Sequence, residues 1–329
     1  MAIKNKKGVF FTFMAILVVS VLVLSFSSDV YVTSKNEIPV LKSRVKTADN
    51  YLRNLETSYL ETSLYTSSYN ALKSLLLYIN QTDFLDNETD LNSKFGEILL
   101  NGSINGENIN TIYNIKLMEE NTFAHRLEDI ENMSQDVLHI TTSFDKDNIN
   151  TLIFQSDDTG PWQFGVNLTI NYSVDAGIAL WNKTKTISVV ISIFGFDDPL
   201  YLVNSGFSHP IKETPFNDTE WGVITLSEHI ANATYRHESN ESTEHSPSYL
   251  MRFYNNNSPS LCCGIESMIN QTLCNDVTDK SYVDYCFWSN ECDDYGYKLY
   301  NITGITTPSY PFKLDAYHVV QYNLTNKEY

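Results

Sequence analysis

The chain has 329 residues, of which 42% are hydrophobic, with 40 acidic side chains against 22 basic ones and a formal charge of -18. That apolar content supplies a sizeable core in one or two domains. The acidic excess argues against nucleic acid as a partner and against docking on anionic lipid.

A short basic lead with Lys4, Lys6 and Lys7 meets an uncharged apolar run, Val9 to Ser28. About 20 residues at ~1.5 Å rise each cross a ~30 Å hydrocarbon layer, so residues 9–28 are expected as a transmembrane helix in contact with membrane lipid. The lysines place the N-terminus in the cytoplasm, and the expected location is a single-pass cell-membrane protein with the bulk of the chain extracellular. Cleavage after Ser25-Phe26-Ser27 and an uncut anchor are two outcomes for this segment. A third rests on Lys6-Lys7-Gly8 directly before Val9-Phe10-Phe11-Thr12. That leader resembles archaeal type IV pilin-like proteins with a class III signal peptide. The resemblance implies a prepilin-type peptidase as processing partner, cutting between Gly8 and Val9. Filament-forming pilins carry Glu at the position held here by Phe13, a departure that bears on assembly rather than on processing.

Residues 29–80 read as an amphipathic stalk helix. Ile38, Leu41, Val45, Ala48, Leu52, Leu55 and Tyr59 alternate spacings of three and four, and Leu60, Leu64, Ala71, Leu75 and Ile79 form a second stripe. The seam serves either self-association or pilin-like partners, or the helix's own globular domain. Residues 81–136 read as short helices, one over Asp90–Leu100 and one carrying Phe123, Leu127, Ile130 and Val137, with Asn121 as cap. Asp86, Glu88, Asp90 and Glu97 have partial calcium-loop spacing, but Leu91 stands where the loop needs Gly, so a capped helix start is the better reading.

From residue 137 to 196 the period changes to two, predicting an antiparallel β-meander of Val137–Phe144, Ile149–Gln155, Trp162–Val174 and Ile178–Phe194. Val166, Leu168, Ile170, Tyr172 and Val174 share one face, and Asn167, Thr169, Asn171 and Ser173 the other. A dry sheet face needs apolar cover, which the upstream helices supply. The fold class is therefore α+β, a transmembrane and stalk helix packed on the meander, with a disulfide-stapled C-terminal region. The stretch Gly195–Tyr201, together with Tyr65-x-x-x-Tyr69-Asn70-Ala71-Leu72 and Gly264-Ile265-Glu266-Ser267-Met268, is similar to large archaeal pilin-like proteins of uncharacterised activity. The resemblance implies architecture and location only.

Residues 197–329 read as loop-rich. Ser205–Ser248 is a polar excursion in which His229, His237 and His245 follow no ligand spacing. Cys262, Cys263, Cys274, Cys286 and Cys292 predict local disulfides, with adjacent Cys262 and Cys263 expected to find other partners. Phe312–Val320 fits either a strand or a helix. Asn-x-Ser/Thr sequons at Asn80, Asn87, Asn101, Asn132, Asn167, Asn171, Asn182, Asn217, Asn232, Asn240, Asn256, Asn270, Asn301 and Asn323 point to N-glycosylation. Hydrolase, metalloprotease, phosphate-loop and dinucleotide motifs are missing, and the lone Ser43-x-x-Lys46 pair lies on the stalk. The expectation is a non-enzymatic glycoprotein without cofactor or metal, structural or adhesive and pilin-like. The alternative is a stalked binding module that does not polymerise.

Overall fold

Helical backbone runs from Ile38 to Gln81 in three consecutive pieces: α1 (Ile38–Asn54), a π turn (Leu55–Tyr59) and α2 (Leu60–Gln81). The structure, a computed structural model, describes residues 16–21, 38–237, 246–270, 279–288, 298–305 and 311–324. The chain forms two units, residues 1–46 and 47–329. In the first, residues 16–21 are helical, while Gly8 and Val9 lie outside the described residues.

No helix among the described residues is long and apolar enough to cross a membrane. The expected transmembrane helix and single-pass membrane location are corrected accordingly. Of the expected span 9–28, residues 9–15 and 22–28 lie outside the described residues. The 22-residue α2 is long enough but carries Glu61, Lys73 and a run of Ser and Thr. The α+β class stands without the span.

The π turn joins the two apolar stripes. Leu60 N–H donates to the Leu55 carbonyl, five residues back, instead of the α-helical four. An extra residue rotates the downstream helix by about 100°, offsetting the five-residue step from Leu55 to Leu60. Ala48, Leu52 and Leu55 therefore share one buried face with Leu60, Leu64, Ala71, Leu75 and Ile79. Tyr59, the last member of the first stripe, is left half-buried. From Ala48 onward the seam serves its own domain core.

Two further helices cover the same core. α3 (Glu88–Asn101) starts at Asn87, whose side chain accepts from Asp90 N, and ends at Gly102 in the left-handed region, φ 66°. Of the partial calcium set, Asp90 pairs with Lys94 at 2.7 Å and the Glu97 carboxylate accepts from Ser103 Oγ, Asn105 N and Gly106 N. α4 (Phe123–Leu138) is capped by Thr122 rather than Asn121. It runs through Val137 and Leu138, which the alternation had given to a strand; the chain leaves the helix at His139, φ 53°, and the sheet begins at Thr141.

The sheet consists of β1 (Thr141–Phe144), β2 (Asn150–Phe154), β3 (Gln163–Asp175) and β4 (Leu180–Ser192). It is not the expected four-rank meander. β1 and β2 both pair with β3, end to end along one edge, while β4 takes the other. Phe144 faces Tyr172 and Asn150 faces Thr169, so the short helical turn Lys146–Asn148 bulges out of a single interrupted strand. Val166, Leu168, Ile170, Tyr172, Val174, Ile187, Val189 and Ile191 are buried against the helices. Asp175 Oδ1 accepts from Gly177 N at 2.7 Å and Gly177 sits at φ 77°, which closes the β3–β4 hairpin.

The region after the sheet has its own apolar core, contrary to the loop-rich expectation. α5 (Pro199–Ser205), α6 (Val223–Asn232), the strand pair β5 (Arg236–His237) and β6 (Ile265–Glu266), α7 (Asp284–Trp288), the hairpin β7 (Leu299–Ile302) and β8 (Phe312–Asp315), and α8 (Ala316–Gln321) build it. Leu200, Trp221, Leu226, Ile269, Tyr282, Phe312, Leu314 and Tyr322 are among its buried residues. The elements are too short for periodicity, and most of their order comes from one another. Phe312–Val320 is both candidates in turn, four strand residues and then a helix.

Candidate functional site

Three aspartates begin three of these short helices, and each divides its two oxygens between a helix N–H and a buried partner. Asp198 Oδ1 accepts from Leu200 N at 2.8 Å, beside the helix-initiating Pro199, while Oδ2 accepts from Arg252 Nη1 at 2.6 Å and Tyr235 Oη at 2.7 Å. Asp284 Oδ1 accepts from Tyr285 N at 2.7 Å; its Oδ2 accepts from Arg252 Nη1 at 2.8 Å and from Ser267 N and Oγ at 3.1 and 2.8 Å. Asp315 Oδ1 accepts from His318 N at 3.0 Å, and Oδ2 accepts from Ser281 Oγ and His318 Nδ1 at 2.6 and 2.7 Å.

Strand β6 links these helix starts. Its Ile265 carbonyl accepts from Arg252 Nη2, and the next side chain, Glu266, accepts from Arg236 Nη1 at 3.3 Å, Tyr322 Oη at 2.7 Å and His318 Nε2 at 3.1 Å. Ser267, the third residue in line, donates to Asp284. Arg252, Asp198 and Asp284 are 0% exposed, Glu266 and His318 1%, Asp315 2% and Arg236 4%. Charge at such depth survives only in pairs, because desolvation costs several kcal/mol per ion.

Proton affinities follow from that packing. Burial opposes a charged imidazole, but Asp315 and Glu266 on its two nitrogens outweigh it and push His318 up to about 10. Both nitrogens must donate to reach two carboxylates, so His318 is an imidazolium. Burial would raise Glu266, yet His318 and Arg236 hold it well below the carboxylate range. Burial raises Asp284, against the opposing pull of Arg252. Burial takes His229 the other way, down to about 4, leaving it neutral beside Trp221 and Thr234.

His209 extends the chain of contacts. Its ring stacks on Tyr201 at 3.9 Å and its Nδ1 lies 2.7 Å from Tyr235 Oη. The tyrosine spends its own proton on Asp198, so His209 Nδ1 is the donor. The adjoining Pro210 and Ile211, with Phe194, Gly195, Lys212 and Glu213, line an open groove of 570 Å³.

The sequence-derived sites fare unevenly. Of the three spaced histidines, His229 is buried, His237 Nδ1 contacts the Gly264 carbonyl at 2.8 Å, and His245 lies outside the described residues. Ser43 and Lys46 are exposed on α1. Cys262 and Cys263 are bonded to each other, contrary to the expected separate partners; one peptide unit accommodates the pair with a Cα–Cα distance of 3.7 Å. Cys286 is also disulfide-bonded, and Cys274 and Cys292 lie outside the described residues. Asn240 lies outside them as well, whereas no sequon asparagine among the described residues is buried.

Sequence reading missed the network and singled out none of its carboxylates as a site. Asp198-Pro199 and Asp315-x-x-His318 are legible helix starts, but nothing in their spacing shows that the three starts converge. Chemically, the cluster holds acids, a base and two guanidinium groups; both Nη atoms of Arg252 are bonded to protein partners while its buried Nε has none. It is organised to fix short elements in place. No family model, curated protein or solved structure matches the chain.

Proposed function

We propose that this protein is a structural or adhesive subunit of pilin-like build, acting through its surface and through contacts with its own copies. The observation that carries this reading is the long helix laid on an antiparallel sheet, with its seam buried from Ala48 to Ile79. Residues 42–46 of α1 are exposed, including Val45 at 46%, a position in the apolar seam. The ionic network supports a load-resisting role, since its buried pairs and the caps of α5 and α8 lock elements too short to hold themselves.

The groove beside Pro210 and Ile211 favours a second reading, a module that binds a partner and stays monomeric. Sedimentation velocity on the full-length protein separates the two. Concentration-dependent growth that Val45→Asp abolishes fits the subunit. A monomer at every concentration removes the self-associating role and leaves the binding module.

A further inference from the structure

Three sequons converge on the outer face of the sheet. Because side chains alternate along a strand, an Asn and the hydroxyl two residues on always share a face. On β3 this aligns Asn167 with Thr169 and Asn171 with Ser173; on β4 it aligns Asn182 with Thr184. The β3–β4 register then lays the two strands' sets side by side, with Asn167 opposite Ser188, Thr169 opposite Thr186, Asn171 opposite Thr184 and Ser173 opposite Asn182. Asn171, Asn182, Thr184, Thr186 and Ser188 are exposed, and Asn167 is half-buried.

The hydrogen bonds across this face orient the amides. Ser188 Oγ donates to Asn167 Oδ1 at 2.6 Å, and Thr184 Oγ1 donates to Asn171 Oδ1 at 2.6 Å. The hydroxyls of Thr169 and Thr186 pair with each other at 2.9 Å. Each bonded amide thus presents its carbonyl oxygen to the neighbouring strand and keeps Nδ2, the nitrogen that carries an N-linked sugar, clear of the sheet.

We propose that this face is a glycan-bearing surface, with N-linked saccharide on Asn167, Asn171 and Asn182. In each transfer an Asn Nδ2–C1 bond forms as the anomeric C1–O bond to a lipid-pyrophosphate-linked saccharide breaks. The amide proton passes to a base of the transferase, and the lipid pyrophosphate leaves with the electron pair. Asn171 and Asn182 are diagonal neighbours, about 7–8 Å apart between Cα atoms, so their chains crowd one another. A surface so covered is closed to protein docking, which directs any partner to the helix side or the C-terminal region. The assignment does not depend on self-association.

The test is glycopeptide mapping of the full-length protein purified from its native source, with enzymatic release marking each used Asn by conversion to Asp. Sugar on at least two of the three sites is the expected result. The triple change Asn167→Gln, Asn171→Gln and Asn182→Gln should then remove the corresponding mass and leave cooperative unfolding intact. Unmodified peptide across residues 163–192, or sugar on one site alone, overturns the proposal and leaves the three amides as cross-strand acceptors.

Discussion

Replacing Arg252 by Met removes the cation between Asp198 and Asp284 while keeping an apolar stem of similar length. The guanidinium spans three partners: Asp198 Oδ2 at 2.6 Å, Asp284 Oδ2 at 2.8 Å and the Ile265 carbonyl. Hydrogen bonds to charged groups contribute about 1.5–3 kcal/mol each, and breaking a buried pair by removing one partner costs about 3–5 kcal/mol. The latter range is the expected loss, since both carboxylates keep their backbone and hydroxyl donors. Domains have only about 5–15 kcal/mol in total, so the variant should fold but unfold at markedly lower urea. Equilibrium urea unfolding at constant m-value reads the shift. Its pH dependence identifies the cause, because burial already raises the proton affinity of Asp284 and Arg252 is what opposes it. The deficit should therefore shrink as pH falls from 7 to 5, and adding Asp198→Asn and Asp284→Asn should recover part of it at pH 7 by removing both charges while keeping the accepting oxygens. A loss below about 1 kcal/mol, or one that is the same at both pH values, would refute the view that Arg252 neutralises these two buried acids.

His318 sets an alkaline limit. Its folded proton affinity is raised from 6.5 to about 10, so its contribution is complete below pH 6.5 and lost as pH rises through about 10. At about 1.4 kcal/mol per pH unit this is on the order of 5 kcal/mol at most. Urea midpoints at pH 6, 8 and 10 should fall more steeply for the wild type than for His318→Gln; parallel slopes would sink the assignment. Deleting Thr57 from the π turn should restore regular α-helix and turn the five-residue step from Leu55 to Leu60 into a four-residue one, which keeps Leu60, Leu64 and Leu75 on the buried face. Burial of each leucine stabilises by about 1.5–3 kcal/mol, and since that burial is kept, thermal unfolding should stay cooperative. A deletion variant without a cooperative transition would refute the view that the π turn serves to align the two stripes.

Period was enough, in the sequence, to determine the α+β class and the buried faces of the long helix and of β3. Spacings of three and four built the long helix, and the alternation of Val166 through Val174 with Asn167 through Ser173 assigned both faces of β3 without any partner strand. Those signals are local, since each is the geometry of one element repeated along itself. The five-residue step from Leu55 to Leu60 was present too, and it announces a π turn only once both stripes are known to share a core. Tertiary structure alone decided the end-to-end pairing of β1 and β2, because alternation is blind to which neighbour a strand chooses. It also left no helix among the described residues long and apolar enough to cross a membrane, where the apolar run near the N-terminus had predicted one. Above all it decided the fate of the charges. Asp198, Arg252, Glu266, Asp284 and His318 are scattered over 121 residues and look like ordinary solvated charges one at a time. Only when three helix starts and one strand meet does water leave them, and only then do their pairings become obligatory.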